Sequence, residues 1–283
     1  MTESPVEKLD MNSAPRRVTS LVVEHTVVTA QVRLLVLDAP EVATTCTPGQ
    51  FVHVECAPSG LVDPLLRRPL SVHEADSAAG RISILYELRG RGTEALSRKT
   101  VGDEVDILGP LGRGFPPPST PDDPVVFVAG GIGVAPLYFL ARHVAGKVGS
   151  REMTLLIGAR SECLLTCIDK FRDLGCHVHT ATDDGSHGFQ GFVTELFKEH
   201  VSRIQERRRP VVYASGPMPM LSALSKLTAQ HGLTCWVSTE VKMACGVGAC
   251  LGCAIKVRNG DSWKYVRCCK EGPVFDANEV IWK

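Results

Sequence analysis

The chain has 283 residues, room for two or three domains at the usual ~100–200 residues each, and 44% of them are hydrophobic, so it can bury a full-sized core. Its 31 Lys and Arg balance 31 Asp and Glu, which excludes a whole-chain field favouring nucleic acid or anionic lipid. Eleven cysteines behind a start that does not resemble a signal peptide point to a reducing, cytoplasmic setting, where clustered thiols bind metal or carry redox chemistry rather than pair as disulfides.

Residues 1–17 contain Pro5, Pro15, charges and no apolar run, and are expected to form a flexible polar tail. In residues 18–118, short β-branched runs from Thr19 to Val28, Val32 to Leu37, Phe51 to Glu55, Ile82 to Leu88 and Glu104 to Leu108 alternate with turn residues. That spacing predicts an antiparallel β-barrel. Residues 116–124 (PPPSTPDDP) hold five prolines and read as a linker.

In residues 119–237, strands are expected at Val125 to Ala129, Met153 to Ile157, His177 to Thr182 and Val211 to Ala214, with a helix from Leu137 to Val148. The alternation predicts a parallel-sheet α/β domain with crossover helices. The uncharged stretch from Pro124 to Ala141 is at the short limit of the ~17–25 residues a membrane span needs. Gly130, Gly131, Gly133 and Pro136 interrupt it, so no span is expected. Residues 238–283, crowded with cysteine, form a small third domain, giving a multidomain β plus α/β chain.

Six segments are candidates for chemistry. In Leu66 to Val72 (LRRPLSV), Arg68 is a planar cation able to pair with a pyrophosphate, Pro69 fixes the backbone, and Ser71 offers a hydroxyl to a ring edge. An ordinary solvated strand edge would read the same way. Leu85 to Leu96 (LYELRGRGTEAL) passes through Gly90, Gly92 and Thr93 into a helix-like segment, whose free N–H groups suit an anion. Together the two segments point to a diphosphate.

Val125 to Leu140 (VVFVAGGIGVAPLYFL) runs from a strand through Gly130, Gly131 and Gly133 into a helix, a dinucleotide cradle that departs from strict G-x-G-x-x-G. Tyr213 to Leu221 (YASGPMPML) brings Gly216 and Pro217 to the carboxyl edge of the same sheet. Thr182 to Thr194 (TDDGSHGFQGFVT) is either a surface loop or a further ligand contact.

Met243 to Cys253 (MACGVGACLGC) is a C-x4-C-x2-C triplet, followed by Cys268 and Cys269, the spacing of plant-type [2Fe–2S] sites. A structural zinc site usually pairs two C-x2–4-C knuckles, and here the second half offers only adjacent cysteines. Adjacent side chains diverge, so one of Cys268 and Cys269 is a bystander, and the spacing leaves open which.

In this order, RRPLS, GPLGRGF, GGIGVAP, TDDGS, SGPMPML and the ending CCKEGPVF resemble the electron-transfer subunits of class 1B dihydroorotate dehydrogenase, in the ferredoxin–NADP reductase superfamily, over about residues 18–283. The resemblance implies an FAD-binding barrel, an NAD-binding domain and a [2Fe–2S] domain. It implies FAD against Arg68, Pro69, Leu70, Ser71, Leu85, Tyr86 and Glu87, with Gly92 and Thr93 at the pyrophosphate. It places NADH, as substrate, at Gly130, Gly131, Gly133, Gly216 and Pro217, and the cluster on Cys245, Cys250, Cys253 and Cys269.

It further implies a hetero-oligomer with an FMN-containing dihydroorotate dehydrogenase catalytic subunit in pyrimidine biosynthesis. No side chain is expected to act as general acid or base, because alignment of the nicotinamide over the flavin is the protein's task. Ser215 departs from the superfamily, many of whose members carry cysteine there. The rivals are the small subunit of an electron-bifurcating or sulfide dehydrogenase complex, and a zinc-stabilised dinucleotide sensor without catalysis.

Overall fold

The computed structural model describes residues 15–57, 60–118, 120, 123–145, 152–204 and 209–282. Most of the expected N-terminal tail and part of the proline-rich linker lie outside them.

The first sheet contains β1 (Arg16–Val27), β2 (Val32–Asp38), β3 (Phe51–Val54), β4 (Arg68–Ser71), β5 (Glu74–Asp76), β6 (Arg81–Glu87) and β7 (Glu104–Leu111). Short helices α1 (Pro40–Ala43) and α2 (Arg91–Leu96) lie between them. The strand order is β4-β3-β7-β1-β2-β6-β5, antiparallel throughout. β4 and β5 are neighbours in sequence yet stand at opposite edges, so the sheet must curl on itself. The Val72 N–H bonds Gln50 at one edge while the His73 N–H bonds Ser83 at the other.

Period-two alternation fills the barrel. Leu35 and Leu37, Val52 and Val54, Ile82, Ile84 and Tyr86, and Val105 and Ile107 all point inward. The opposite face of β3 carries Phe51, which belongs to a different core shared with the C-terminal segment.

The second sheet starts at β8 (Val125–Gly130), whose residues are nearly all buried, as in a strand covered on both faces. A 3-10 turn over Gly131–Gly133 feeds directly into α3 (Val134–Ala145), so the helix starts three residues before the expected Leu137. Then come β9 (Met153–Ala159), α4 (Ile168–Asp173), β10 (His177–Thr182), β11 (Phe189–Gln190), α5 (Val193–Ile204), β12 (Val211–Ser215), α6 (Met218–Gln230) and β13 (Cys235–Ser238). After the cysteine loop, β14 (Ala254–Asn259) and β15 (Ser262–Arg267) form a separate hairpin, and β16 (Val274–Asp276) returns to pair antiparallel with β13.

The order β11-β10-β9-β8-β12-β13-β16 reverses direction between β8 and β12. That switch point opens a crevice at the carboxyl ends of the strands, where α/β sheets bind ligands. β5, β13 and β16 had no sequence signal, because three or four residues are too few to display a period. Among the described residues no helix is long and apolar enough to cross a membrane.

Candidate functional site

A cleft of about 520 Å³ runs between the barrel, the switch point and the segment leading to the cysteines. Its volume lies within the range of small-molecule and cofactor sites. From the barrel come Arg68, Pro69, Leu70 and Ser71 on β4, Leu85, Tyr86 and Glu87 at the end of β6, and Gly92 and Thr93 on α2. The α/β sheet contributes Ile132, Gly133, Ala135, Pro136, Ser215 and Ser238, and the C-terminal segment Thr239 to Met243 with Pro273.

On the barrel side, Arg68 lies across the first turn of α2. A Cβ at residue 92 would come 2.5 Å from its Nε, so glycine there makes room for the guanidinium. The Thr93 hydroxyl accepts from the Arg89 N–H at 2.9 Å and donates to the Gly90 carbonyl at 3.0 Å, tying the loop after β6 to the helix. Glu87 pairs with Arg89 at 2.6 Å, and Arg89 reaches Glu240 at 3.4 Å, joining barrel to C-terminal segment.

Alternation along β6 splits the expected trio Leu85, Tyr86 and Glu87. Tyr86 is turned into the barrel, its hydroxyl 2.9 Å from His25 Nε2, and burial pushes its pKa up. It offers the cleft backbone rather than a ring.

At the switch point the expected glycines separate by role. A Cβ on Gly133 would collide with the Ser215 carbonyl, and one on Gly130 would lie 2.7 Å from Met220 Sδ and 2.8 Å from Pro217 Cδ. Both let the β8 turn approach the β12 turn. Gly131, at φ +53°, faces open space. Gly130, Gly131, Gly216 and Pro217 stand at the carboxyl ends of β8 and β12 but outside the cleft wall, whereas Gly133 and the buried Ser215 belong to it.

One cross-link between barrel and α/β sheet had no sequence signal. His73, fully buried after β4, approaches the Ala135 carbonyl with Nδ1 at 3.0 Å and Lys170 Nζ with Nε2 at 3.3 Å. Its ring stacks on Tyr138 at 4.8 Å. Burial, and then the Lys170 ammonium, push its pKa down to about 3, so the ring is neutral. Nδ1 therefore donates to the carbonyl, and Nε2 accepts from lysine. Ala135 lines the cleft, so this clamp fixes the helix start relative to β4.

The cysteines come as two pairs. Cys253 Sγ and Cys269 Sγ are 3.3 Å apart, and Cys269 accepts from the Gly248 N–H at 3.1 Å. Desolvation of the Cys245 thiol opposes ionisation. Donors from Cys250, Val247 and Ala249 outweigh it and bring the pKa down to about 6. Cys250 accepts from the Gly252 N–H at 3.4 Å. Burial pushes Cys269 up to about 12, and the neighbouring Cys253 adds to the shift. Cys268 turns the other way, its Sγ 3.3 Å from Thr239 Oγ1, and burial holds it near about 12.

Among the described residues no three His, Cys, Asp or Glu side chains converge on the position of a single ion. The paired arrangement suits two irons, each needing two thiolates, with glycine N–H groups aimed at sulfur. The residues present fit that cluster, and binding would remove the thiol protons.

Residues 240–281 match the iron–sulfur cluster binding domain of dihydroorotate dehydrogenase B, and residues 127–226 an oxidoreductase NAD-binding domain. Over 246 residues, 87% of this chain and 91% of the relative, the sequence is 42% identical to the dihydroorotate dehydrogenase B (NAD(+)) electron transfer subunit of Desulforamulus reducens. The chain belongs to the family of dihydroorotate dehydrogenase B electron transfer subunits.

The subunit of the same name from Geobacillus kaustophilus is 43% identical over 83% of this chain and 86% of its own length. In fold, the chain resembles an NADH-dependent reduced ferredoxin–NADP oxidoreductase solved in a study of flavin-based electron bifurcation, with a TM-score of 0.80 and 28% identity over 94% of this chain and 90% of that one. As a family member the protein is an oxidoreductase subunit for electron transfer, with an NAD-binding domain and an iron–sulfur cluster binding domain. Ile132, Ala135 and Pro136 of the GGIGVAP segment join the cleft, and Thr239 to Lys242 complete it without a sequence signal, since STEVK has no motif chemistry of its own.

Proposed function

We propose that the chain takes electrons from NADH at the cleft and passes them through FAD and a [2Fe–2S] cluster to an FMN-containing dihydroorotate dehydrogenase catalytic subunit, in a cytoplasmic hetero-oligomer. The observation that carries this reading is continuity. Met243 lines the cleft and Cys245 stands two residues further on, so one segment spans flavin site and cluster site. Cys245, Cys250, Cys253 and Cys269 hold the cluster, supported by their pairing, and Cys268 serves packing against Thr239.

Bound FAD supplies the conversion between a two-electron hydride donor and a one-electron acceptor. The chain's residues do the rest by position. Arg68 and the first turn of α2, at Gly92 and Thr93, meet the diphosphate with positive charge and N–H groups. Pro69, Leu70, Ser71 and the end of β6 shape the wall against the ring. Gly131 leaves the β8 turn open to the dinucleotide, while Gly130, Gly133, Gly216 and Pro217 let the two turns meet. The His73 clamp keeps the walls at a fixed spacing, the requirement for hydride transfer.

The division at 18–118, 119–237 and 238–283 follows this assignment of tasks. Electrons leave through the loop holding the exposed Cys250 and its neighbours Val247 and Leu251, which are 49% and 63% exposed. The likeness to the bifurcating enzyme favours a second reading, a subunit of such a complex.

The purified chain, loaded with FAD and cluster, is expected to oxidise NADH with artificial acceptors and leave dihydroorotate untouched. Adding a dihydroorotate dehydrogenase catalytic subunit should couple the two reactions. Turnover of dihydroorotate by the single chain, or no coupling with that partner, would contradict the proposal.

A further inference from the structure

β3 turns Val52 and Val54 into the barrel, so Phe51 and His53 point to the other face, where the C-terminal segment packs. His53 has no exposed surface, and neither ring nitrogen has a hydrogen-bond partner. The Cys245 backbone lies near enough to polarise the ring, but not at the geometry of a hydrogen bond. A buried imidazole with two unmatched nitrogens is uncommon in a native core, because such groups lose water without replacement.

Its surroundings say what is missing. Across the ladder His53 pairs with Pro69 of β4, the strand that lines the flavin cleft. On the other side a Cβ at Gly246 would come 2.7 Å from His53 Nδ1, so the ring lies directly under the cysteine loop. In either protonation state the imidazole carries at least one N–H to donate. The glycine at 246, held at φ +72°, allows the loop to settle onto that ring.

Resting on the ligand assignment above, we infer that His53 donates its N–H to sulfur on the Cys245 side of the cluster and so sets the cluster's potential. It is a positioning and tuning residue standing between the flavin-lining strand and the cluster loop. Hydrogen bonds to cluster sulfur favour the reduced, more negative form and raise the potential. His53 would thereby ease the electron's step from flavin to cluster.

The test is a spectroelectrochemical titration of the loaded protein, its His53→Phe variant and its His53→Asn variant. Phe removes the donor, whereas Asn carries an N–H at the place of Nδ1. The Phe variant should shift the cluster midpoint to more negative potential, with the flavin midpoint unmoved, and Asn should restore most of the shift. A Phe variant with full iron and an unchanged midpoint, or a shift that Asn fails to restore, overturns the inference.

If the Phe variant does not fold, wild-type protein with ring-15N histidine decides the matter. Pulsed EPR of the reduced cluster should show a coupled 15N nucleus, and its absence overturns the inference. Failure of the ligand assignment is distinct and visible first, as wild-type protein lacking the iron content and absorbance of a [2Fe–2S] cluster.

Discussion

The β8 turn and the cysteine loop are both rich in glycine, and they use it for opposite reasons. In the β8 turn, Gly130 and Gly133 avoid collision with the β12 turn, and neither needs an unusual backbone for that. In the cysteine loop, Gly246 and Gly248 sit at φ +72° and +80°, a region that L side chains rarely adopt, and the N–H of Gly248 points at Cys269 Sγ. The β8 turn uses Gly130 and Gly133 to bring backbones together, whereas the cysteine loop uses Gly248 to aim an N–H at sulfur. A glycine count in the sequence does not distinguish the two, but the Cβ that each could accept does.

The largest effect that sharpens this contrast belongs to the cysteine loop. Cys269→Ser should abolish the [2Fe–2S] spectrum while Cys268→Ser keeps it, because the Cys269 sulfur lies against the Cys253 sulfur whereas the Cys268 sulfur lies against the Thr239 hydroxyl. Iron content and visible absorbance of the two variants check this, and the reverse pattern would exchange the roles. In the β8 turn, Gly133→Ala drives a Cβ into the Ser215 backbone, which has no flexible end to yield. It should cost about 3 kcal/mol or prevent accumulation of folded protein, as read from urea unfolding.

Away from glycine, His73→Phe keeps a ring against Tyr138 and removes both hydrogen bonds of the clamp, for a loss of about 1–3 kcal/mol. The sign of its pH dependence follows from a folded pKa of about 3, below the ordinary histidine value of 6.5. The wild-type group contributes full stability above about 6.5, and that contribution falls by about 1.4 kcal/mol per pH unit as the solution is acidified toward 3. The Phe variant should lose this slope in denaturation curves taken across that window. Gly131→Ala is the mildest change, since the Cβ meets open space and only φ +53° resists it. About 1 kcal/mol is expected, with NADH affinity the more sensitive readout.

Much of this was legible in the chain itself. The apolar runs of β1, β2, β6 and β7 are long enough to show a period of two, and β8 reads as a buried strand leading into a glycine turn. The C-x4-C-x2-C spacing announced the cluster. What remained hidden depends on tertiary neighbours. Cys268 and Cys269 are equivalent until the Thr239 hydroxyl meets the sulfur of one and Cys253 Sγ meets the sulfur of the other. His53 and His73 are single histidines in strand-like stretches, and only burial against Gly246 and Ala135 gives them work.

The central claim is that one continuous path joins nicotinamide, flavin and cluster, and an anaerobic titration of the loaded protein with NADH tests it most directly. The account predicts that the flavin absorbance bleaches and that the EPR signal of a reduced [2Fe–2S] cluster rises in the same titration. Flavin bleaching with no cluster signal, in protein shown to contain its full iron, would contradict it.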